Sequence, residues 1–384
     1  MRYAGGSARN GLAHLGQHVL PLVHVGDGGR IEAFQSDEQA AAFFADREGF
    51  GFNAQWINLL CATGTGGRAD GSLVDGTLPF TAKVPGGDWY DLTRPNEAYF
   101  RHVDRVVSLA ADHGQLLILD PIETISWLGV ALANGVDRAE AYGRFLGARY
   151  RDAGNILWMS GNDFQDWRDP ANRAVIQAVA RGIRAAAPRH LQTVELNYLV
   201  SGSLDDATWA PLIDVNATYT YHPTYAQLLT DYRRPNALPN VMIEANYEFE
   251  HDYTGSLTLR RQEYWSMLSG AAGQLYGNAY SWPMVAGWAD HIDTPGAVQL
   301  GTMKALFIPR PWSALVPDDA HAVLVAGYGT YADDGSVNDS DYATAARTPD
   351  GALVMAYAPT PRDLVVDMTR LAGPATGHWF DPAS

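Results

Sequence analysis

The chain has 384 residues, 47% hydrophobic and 11% aromatic, enough for one barrel-sized domain of roughly 250–300 residues and a small second one. Its 43 acidic residues against 27 basic ones give a formal charge of −16, which repels phosphate backbones and argues against a nucleic-acid partner. A single cysteine, Cys61, excludes an intrachain disulfide and a zinc site built on several thiolates, and no apolar run is long enough to span a membrane.

Short apolar runs alternate with longer helical patterns, which predicts βαβ units around a parallel sheet. The first strand is read over Leu20–Val25, closed by Gly26-Asp27. A helix capped by Ser36, with Gln39 completing a capping box, follows to Arg47. Asn53–Leu60 reads as a strand, and Cys61–Pro95 as a Gly-rich connection too long for a plain turn. Asn96–His113 carries Tyr99, Val103, Val106, Val107 and Ala110 at helical spacing. Strand Leu116–Leu119 ends in Asp120-Pro121, and helix Asp137–Tyr150 leads to strand Asn155–Ser160. Helix Arg173–Ala187 precedes strands Leu191–Leu196, Ile213–Ala217 and Val241–Ile243. Helix Thr258–Leu268, strand Ala271–Tyr276 and helix Pro295–Phe307 complete the series. Eight strands and about eight helices over residues 20–308 predict a (β/α)8 TIM barrel, residues 1–310. After Arg310-Pro311-Trp312 come short alternating runs, Ala322–Val325, Leu353–Tyr357 and Leu364–Asp367, with turn signals at Asp334-Gly335 and Asp350-Gly351. They predict a small C-terminal antiparallel β-sandwich domain, residues 311–384. An N-terminus without an apolar core predicts a cytoplasmic protein, or a secreted or periplasmic one whose leader has been removed.

Two of the buried strands deliver an acid. Ile156–Ser160 runs into Gly161-Asn162-Asp163, and Val241–Ile243 ends in Glu244. The acids are 81 residues apart, three βα units of 27 residues each, which places them after barrel strands four and seven. Cleaving a glycosidic bond needs one acid to protonate the leaving oxygen and one carboxylate to attack the anomeric carbon or activate water. In barrels both must sit at the C-terminal ends of strands. Asp163 and Glu244 are therefore the candidate catalytic pair. Further candidates for sugar contacts are Asp27, Asn58, Glu123, Trp127, Asn162, Tyr221, His222, Glu248, Tyr276, Asn278 and Trp282, all near expected strand ends. The 11 Trp and 19 Tyr suit a carbohydrate partner, whose ring faces pack on aromatics, and they equally suit a large core. No His-x-His or His-Glu-x-x-His motif appears, so neither a metal nor another cofactor is expected.

The chain also resembles the apiosidase-like glycoside hydrolases, a group of retaining clan A-type barrels followed by a β domain labelled collagen-binding. The resemblance rests on ordered pieces spread over most of the sequence. They include Val25-Gly26-Asp27; Pro95–Phe100 with Val103-Asp104; Tyr142–Gly147; Asn155–Trp158; Glu244–Glu248; Tyr264–Ser266 with Gly270–Gly273; Tyr276–Asn278; and Arg310–Trp312 with Leu315–Pro317. It implies that Asp163 is the acid/base, Glu244 the nucleophile and Asn162 the amide that holds a sugar hydroxyl. It also implies a polar residue near Tyr221-His222 that orients the nucleophile, and exo action on apiose or another furanose-like sugar. The chain departs from the family where it has Gly161-Asn162-Asp163, Ile243-Glu244-Ala245 and Asp120–Glu123, and these departures bear on which sugar it takes. Two other readings remain: a non-catalytic carbohydrate-binding barrel, and a metal-dependent hydrolase.

Overall fold

A computed structural model describes residues 23–60, 67–196 and 200–384, with the backbone alone for residues 23–29 and Glu32. Nine strands form one sheet in the order β5-β4-β3-β2-β1-β9-β8-β7-β6. They are β1 Val23–Arg30, β2 Ala54–Asn58, β3 Leu116–Asp120, β4 Ile156–Phe164, β5 Leu191–Leu196, β6 Val200–Gly202, β7 Asn216–Thr220, β8 Asn240–Glu244 and β9 Ala271–Tyr276. Eight run parallel, and the three-residue β6 pairs antiparallel to β7. The helices between them are α1 Asp37–Gly49, α2 Glu97–Asp112, α3 Thr124–Tyr150, α4 Pro170–Ala186, α5 Thr224–Tyr232, α6 Ser256–Leu268 and α7 Pro295–Phe307.

The capping chemistry fixes most helix starts. Ser36 accepts from the Gln39 N–H, while the Gln39 side chain reaches back to the Gln35 N–H, one residue short of a reciprocal box. Asp169 and Thr294 cap α4 and α7, and in each the next residue is a proline at the first helical position. Several elements differ from the sequence reading, the short β6 among them, which was not expected. The first strand runs on to Arg30, so Asp27 pairs with Trp56 inside the strand and does not end it. Helix α3 begins at Thr124 and breaks at Gly135 (φ 69°, ψ 176°), so the segment expected from Asp137 is its second half. β7 lies three residues later than expected, and α5, opened by Pro223, was not foreseen.

Leu157 and Met159 of β4, Ala217 and Tyr219 of β7, and Val241 and Ile243 of β8 alternate along their strands. With Ala54, Trp56, Ile118 and Ala272 they form an apolar core between the strands. The intervening residues, such as Trp158 and Val194, join a larger core under the helices. The edge strand β5 is stitched to β7 by side chains. Ser203 donates from its hydroxyl to the Val194 carbonyl at 2.5 Å and accepts from the Ala217 N–H at 2.8 Å. Thr193 donates to the Val215 carbonyl at 2.8 Å. Removing the buried Ser203 hydroxyl leaves one donor and one acceptor unpaired, at about 1–3 kcal/mol each. Ser203→Ala is expected to destabilise the fold by about 2 kcal/mol or more, read from the urea midpoint at unchanged slope. A midpoint equal to the parent's would show that this seam carries no stability.

The C-terminal residues form two short antiparallel sheets: β10-β12-β13 (Val316–Pro317, Thr344–Arg347, Val354–Tyr357) and β11-β14 (Leu324–Ala326, Val365–Val366). β12 was not expected. This part shares a core with α5 and α6. Tyr225 packs on Trp265 at 5.1 Å and Tyr342 at 4.6 Å, and Tyr264 stacks on Tyr357 at 4.8 Å. Buried Arg261 donates to the Val337, Asn338 and Ser340 carbonyls. Among the described residues, no helix is long and apolar enough to cross a membrane.

Candidate active site

Strand β4 leaves regular geometry where its polar residues begin. Ser160 pairs with Val194 and Phe164 with Leu196, so four residues of β4 cover a two-residue step of β5. The slack is a bulge in which Gly161 (φ 74°) and Asp163 (φ 46°) are both left-handed. A glycine meets the first requirement at no steric cost. The second is one of the few positive-φ positions that an aspartate tolerates. The bulge lifts Asn162 and Asp163 off the strand. Four neighbours hold it: Thr124 donates to the Asn162 carbonyl at 2.5 Å, Asn58 donates to the Asn162 side-chain oxygen at 3.3 Å, the Asp120 carboxyl accepts from the Asn162 backbone N–H, and Glu195 lies beneath.

Glu244 needs a similar device. Ile243 faces the apolar core, so strict alternation would turn Glu244 outward. A register shift between Thr218↔Met242 and Tyr219↔Glu244 sets it opposite Tyr219 instead. The Tyr219 hydroxyl donates to Glu244 at 2.9 Å and that of Tyr221 at 3.1 Å. The Tyr247 hydroxyl bonds it as well. Tyr247 can lie there because Gly277 follows β9: a Cβ at that position would fall 1.8 Å from the Tyr247 ring. The arginines that could have made Glu244 an ordinary ion-pair acid are engaged elsewhere, Arg261 on the C-terminal carbonyls and Arg260 on Gln299.

The two acids belong to one electrostatic cluster. Burial pushes Glu244 well above the usual carboxylate range and the charge of Asp163 adds to it, while the three tyrosine hydroxyls pull it back. Burial also raises Asp163; the Tyr219 hydroxyl lowers it and Glu250 raises it. Glu195, fully buried on β5, is a third member. Burial raises it most, then the charges of Glu244 and Asp163. Each of these groups binds its proton more tightly folded than unfolded. The stability they lend is therefore present below the ordinary carboxylate value of about 4.3 and lost as pH rises through the folded values. Glu244→Gln removes one such group. Its thermal midpoint is expected to gain on the parent's as pH is raised from there; a difference constant with pH would contradict this.

The remaining candidates divide. Tyr221 and Trp282 pack at the edge of the inner core beside Tyr219 and Tyr247, with Trp282 6.2 Å from the Tyr247 ring. Asn58 receives the Trp56 indole N–H at 3.1 Å and passes the contact on to Asn162. The side chain of Asp27 lies outside the described residues. Others are turned to structural work. Glu123 caps α3 by accepting from the Ile125 and Ser126 N–H groups. Trp127 lies in the main core, stacked on Tyr90 at 5.9 Å. Glu248 accepts from the Gly296 N–H at the start of α7 and from the Tyr276 hydroxyl. Tyr276 packs on Phe52 in the outer core. Asn278 braces a turn through Tyr280 N–H and the His291 carbonyl. His222 directs Nδ1 to the Gly335 carbonyl at 3.1 Å, and of the expected pair it is Tyr221, with Tyr219, whose hydroxyl bonds Glu244.

Glu195, Tyr219 and Glu250 were missed by sequence reasoning. A lone glutamate in the apolar run Val194-Glu195-Leu196 was the available signal for the first. Among the described residues no group of three or more His, Cys, Asp or Glu could hold a metal ion. A cavity of about 480 Å³ lies to one side, lined by Arg30, Arg68, Met284 and Trp288, and none of the clustered acids reaches it.

The profile of a family described as "Apiosidase-like, catalytic domain" matches residues 31–314. No curated protein matches the sequence. Among solved structures, one described as a glycoside hydrolase superposes with a TM-score of 0.73 at 22% identity, covering 92% of this chain and 82% of its own. A family 5 glycoside hydrolase from Bacteroides vulgatus gives 0.74 at 20% identity, covering 93% and 80%. At these identities the likeness is one of fold.

Proposed function

We infer the reaction from one premise: this chain belongs to the apiosidase-like family of glycoside hydrolases. Its parallel sheet is read as a closed (β/α)8 barrel within residues 1–310, and its two small sheets as a β-sandwich within 311–384. The substrate is a carbohydrate, and cleavage proceeds with retention. Glu244 attacks the anomeric carbon while the Asp163 proton passes to the glycosidic oxygen, and the bond to the leaving group breaks. Asp163 then takes a proton from water, whose oxygen displaces Glu244. Asn162 holds the hydroxyl beside the anomeric centre, and Tyr219, Tyr221 and Tyr247 aim the nucleophile.

One observation carries this reading. The Tyr219 hydroxyl bonds Glu244 at 2.9 Å and also faces Asp163, so acids from β4 and β8 share a tyrosine in one buried cluster. Two coupled carboxyls divide the protons between them, which gives one group to donate and one to attack. The family resemblance supports exo action on a side-chain sugar, apiose or another furanose or pentose. A screen of aryl furanosides and pyranosides, with the product followed by NMR, tests it. The first-formed sugar is expected to keep the anomeric configuration of the substrate, and an inverted product overturns the retaining mechanism.

A further inference from the structure

We propose that Glu195 is a positioning residue for the acid: it clamps the Gly161–Asp163 bulge so that the Asp163 carboxyl and the Asn162 amide face the bond being cleaved. The proposal rests on the reading of Asp163 as acid/base. Glu195 is fully buried on β5. Its Oε2 accepts from the Asn162 side-chain amide and from the Asp163 backbone N–H, each at 3.2 Å. Thr124 and Asn58 also hold the bulge, and both grip Asn162; Glu195 is the side chain that grips the backbone of Asp163 itself. Asp163 needs such a grip. A non-glycine residue at φ 46° persists only where its surroundings over-determine it.

The setting argues against a packing role. Glu195 shares its space with Asp163 from β4, Glu244 from β8 and the Tyr219 hydroxyl from β7. Its second oxygen, Oε1, is buried and has no hydrogen-bond partner among the described residues. Burying a third carboxyl beside two others is unfavourable, and an apolar residue would fill the strand at lower cost. What an apolar residue cannot do is accept two N–H bonds from the bulge. A glutamine can, through its amide oxygen.

The clamp predicts a dependence on the leaving group that a structural role would not produce. A 4-nitrophenolate departs with little protonation, whereas a methoxide needs the acid. The probes are the 4-nitrophenyl and methyl glycosides of the sugar found in the screen above. For Glu195→Leu, kcat/KM on the methyl glycoside is expected to fall ~100-fold, the low end of what general acid catalysis contributes, and on the 4-nitrophenyl glycoside less than ~5-fold. Glu195→Gln, which keeps the acceptor, is expected to stay within ~3-fold of the parent on both. Should Glu195→Leu not fold, Glu195→Asp, one methylene shorter, is expected to show the same selectivity at smaller size. Equal losses on both substrates, no loss on either, or a Glu195→Gln protein as impaired as Glu195→Leu each overturn the proposal. Asp163→Asn is the control: if it lacks leaving-group selectivity, the acid/base assignment fails and not the clamp alone.

Discussion

Glu244→Gln is expected to lower kcat by ~10⁴-fold or more, because an amide cannot form the glycosyl-enzyme bond and removing a nucleophile costs losses of that order. The substitution is nearly isosteric, and the amide oxygen still accepts from Tyr219 and Tyr221, which donate at 2.9 and 3.1 Å. The fold should therefore survive, and removing a charge from a fully buried position relieves an unfavourable burial. Steady-state turnover is the measurement, with circular dichroism as the check on folding. Turnover within tenfold of the parent would remove Glu244 from the chemistry. A parent that binds carbohydrate but turns over none of the screened glycosides would instead favour a protein that binds without cleaving.

Asp163→Asn is expected to divide substrates by their leaving groups. Without a proton to give, kcat/KM on a methyl glycoside should fall ~10²–10⁴-fold, the range general acid catalysis supplies. On a 4-nitrophenyl glycoside the first step should be nearly spared and the second slowed, so the glycosyl-enzyme accumulates as an initial burst. Azide needs no base and should restore turnover, giving a glycosyl azide of retained configuration. The basic limb of the pH profile should vanish with the carboxyl, since that limb reports loss of the acid's proton. Equal losses on both substrates, without azide rescue, would transfer the acid role to another group of the cluster.

The two strand-end acids were legible because each interrupts an apolar run at the place where a barrel strand must stop. The means of presenting them was not. Periodicity places a residue on a face; the one-residue register slip at Ile243 reverses that placement for Glu244, and the bulge in Gly161–Asp163 takes its residues out of the alternation. Tyr219 was missed for a related reason. The strand was expected to stop at Ala217, which left Tyr219 in a loop, although Tyr219 and Tyr221 stand two apart and so share a face. Glu248 misled in the opposite direction. It was expected among the sugar contacts, but its carboxylate serves the start of α7, a partner 48 residues away that no local pattern reveals. Helix α5 was hidden because Thr224–Tyr232 lacks a cap side chain, and β12 because Thr344-Ala345-Ala346-Arg347 is poor in strand-forming residues. Trp127 and Tyr276 show that an aromatic beside a strand end is as readily a core residue as a sugar platform.

The contact of the C-terminal segment with α5 and α6 has a consequence for how the chain is made. Tyr225, Arg261, Tyr264 and Trp265 each find partners among residues 337–357, and His222, beside Tyr221, meets Gly335. During synthesis those partners lag behind the rest. From Trp312 to Tyr357 the ribosome adds 45 residues, which takes about 2–9 s at 5–20 residues per second. For that interval helices α5 and α6 present a bare aromatic face and an unanchored loop next to Tyr221. Pausing the ribosome before residue 335 should therefore yield a chain with both acids in hand and one wall of its mouth still unfinished.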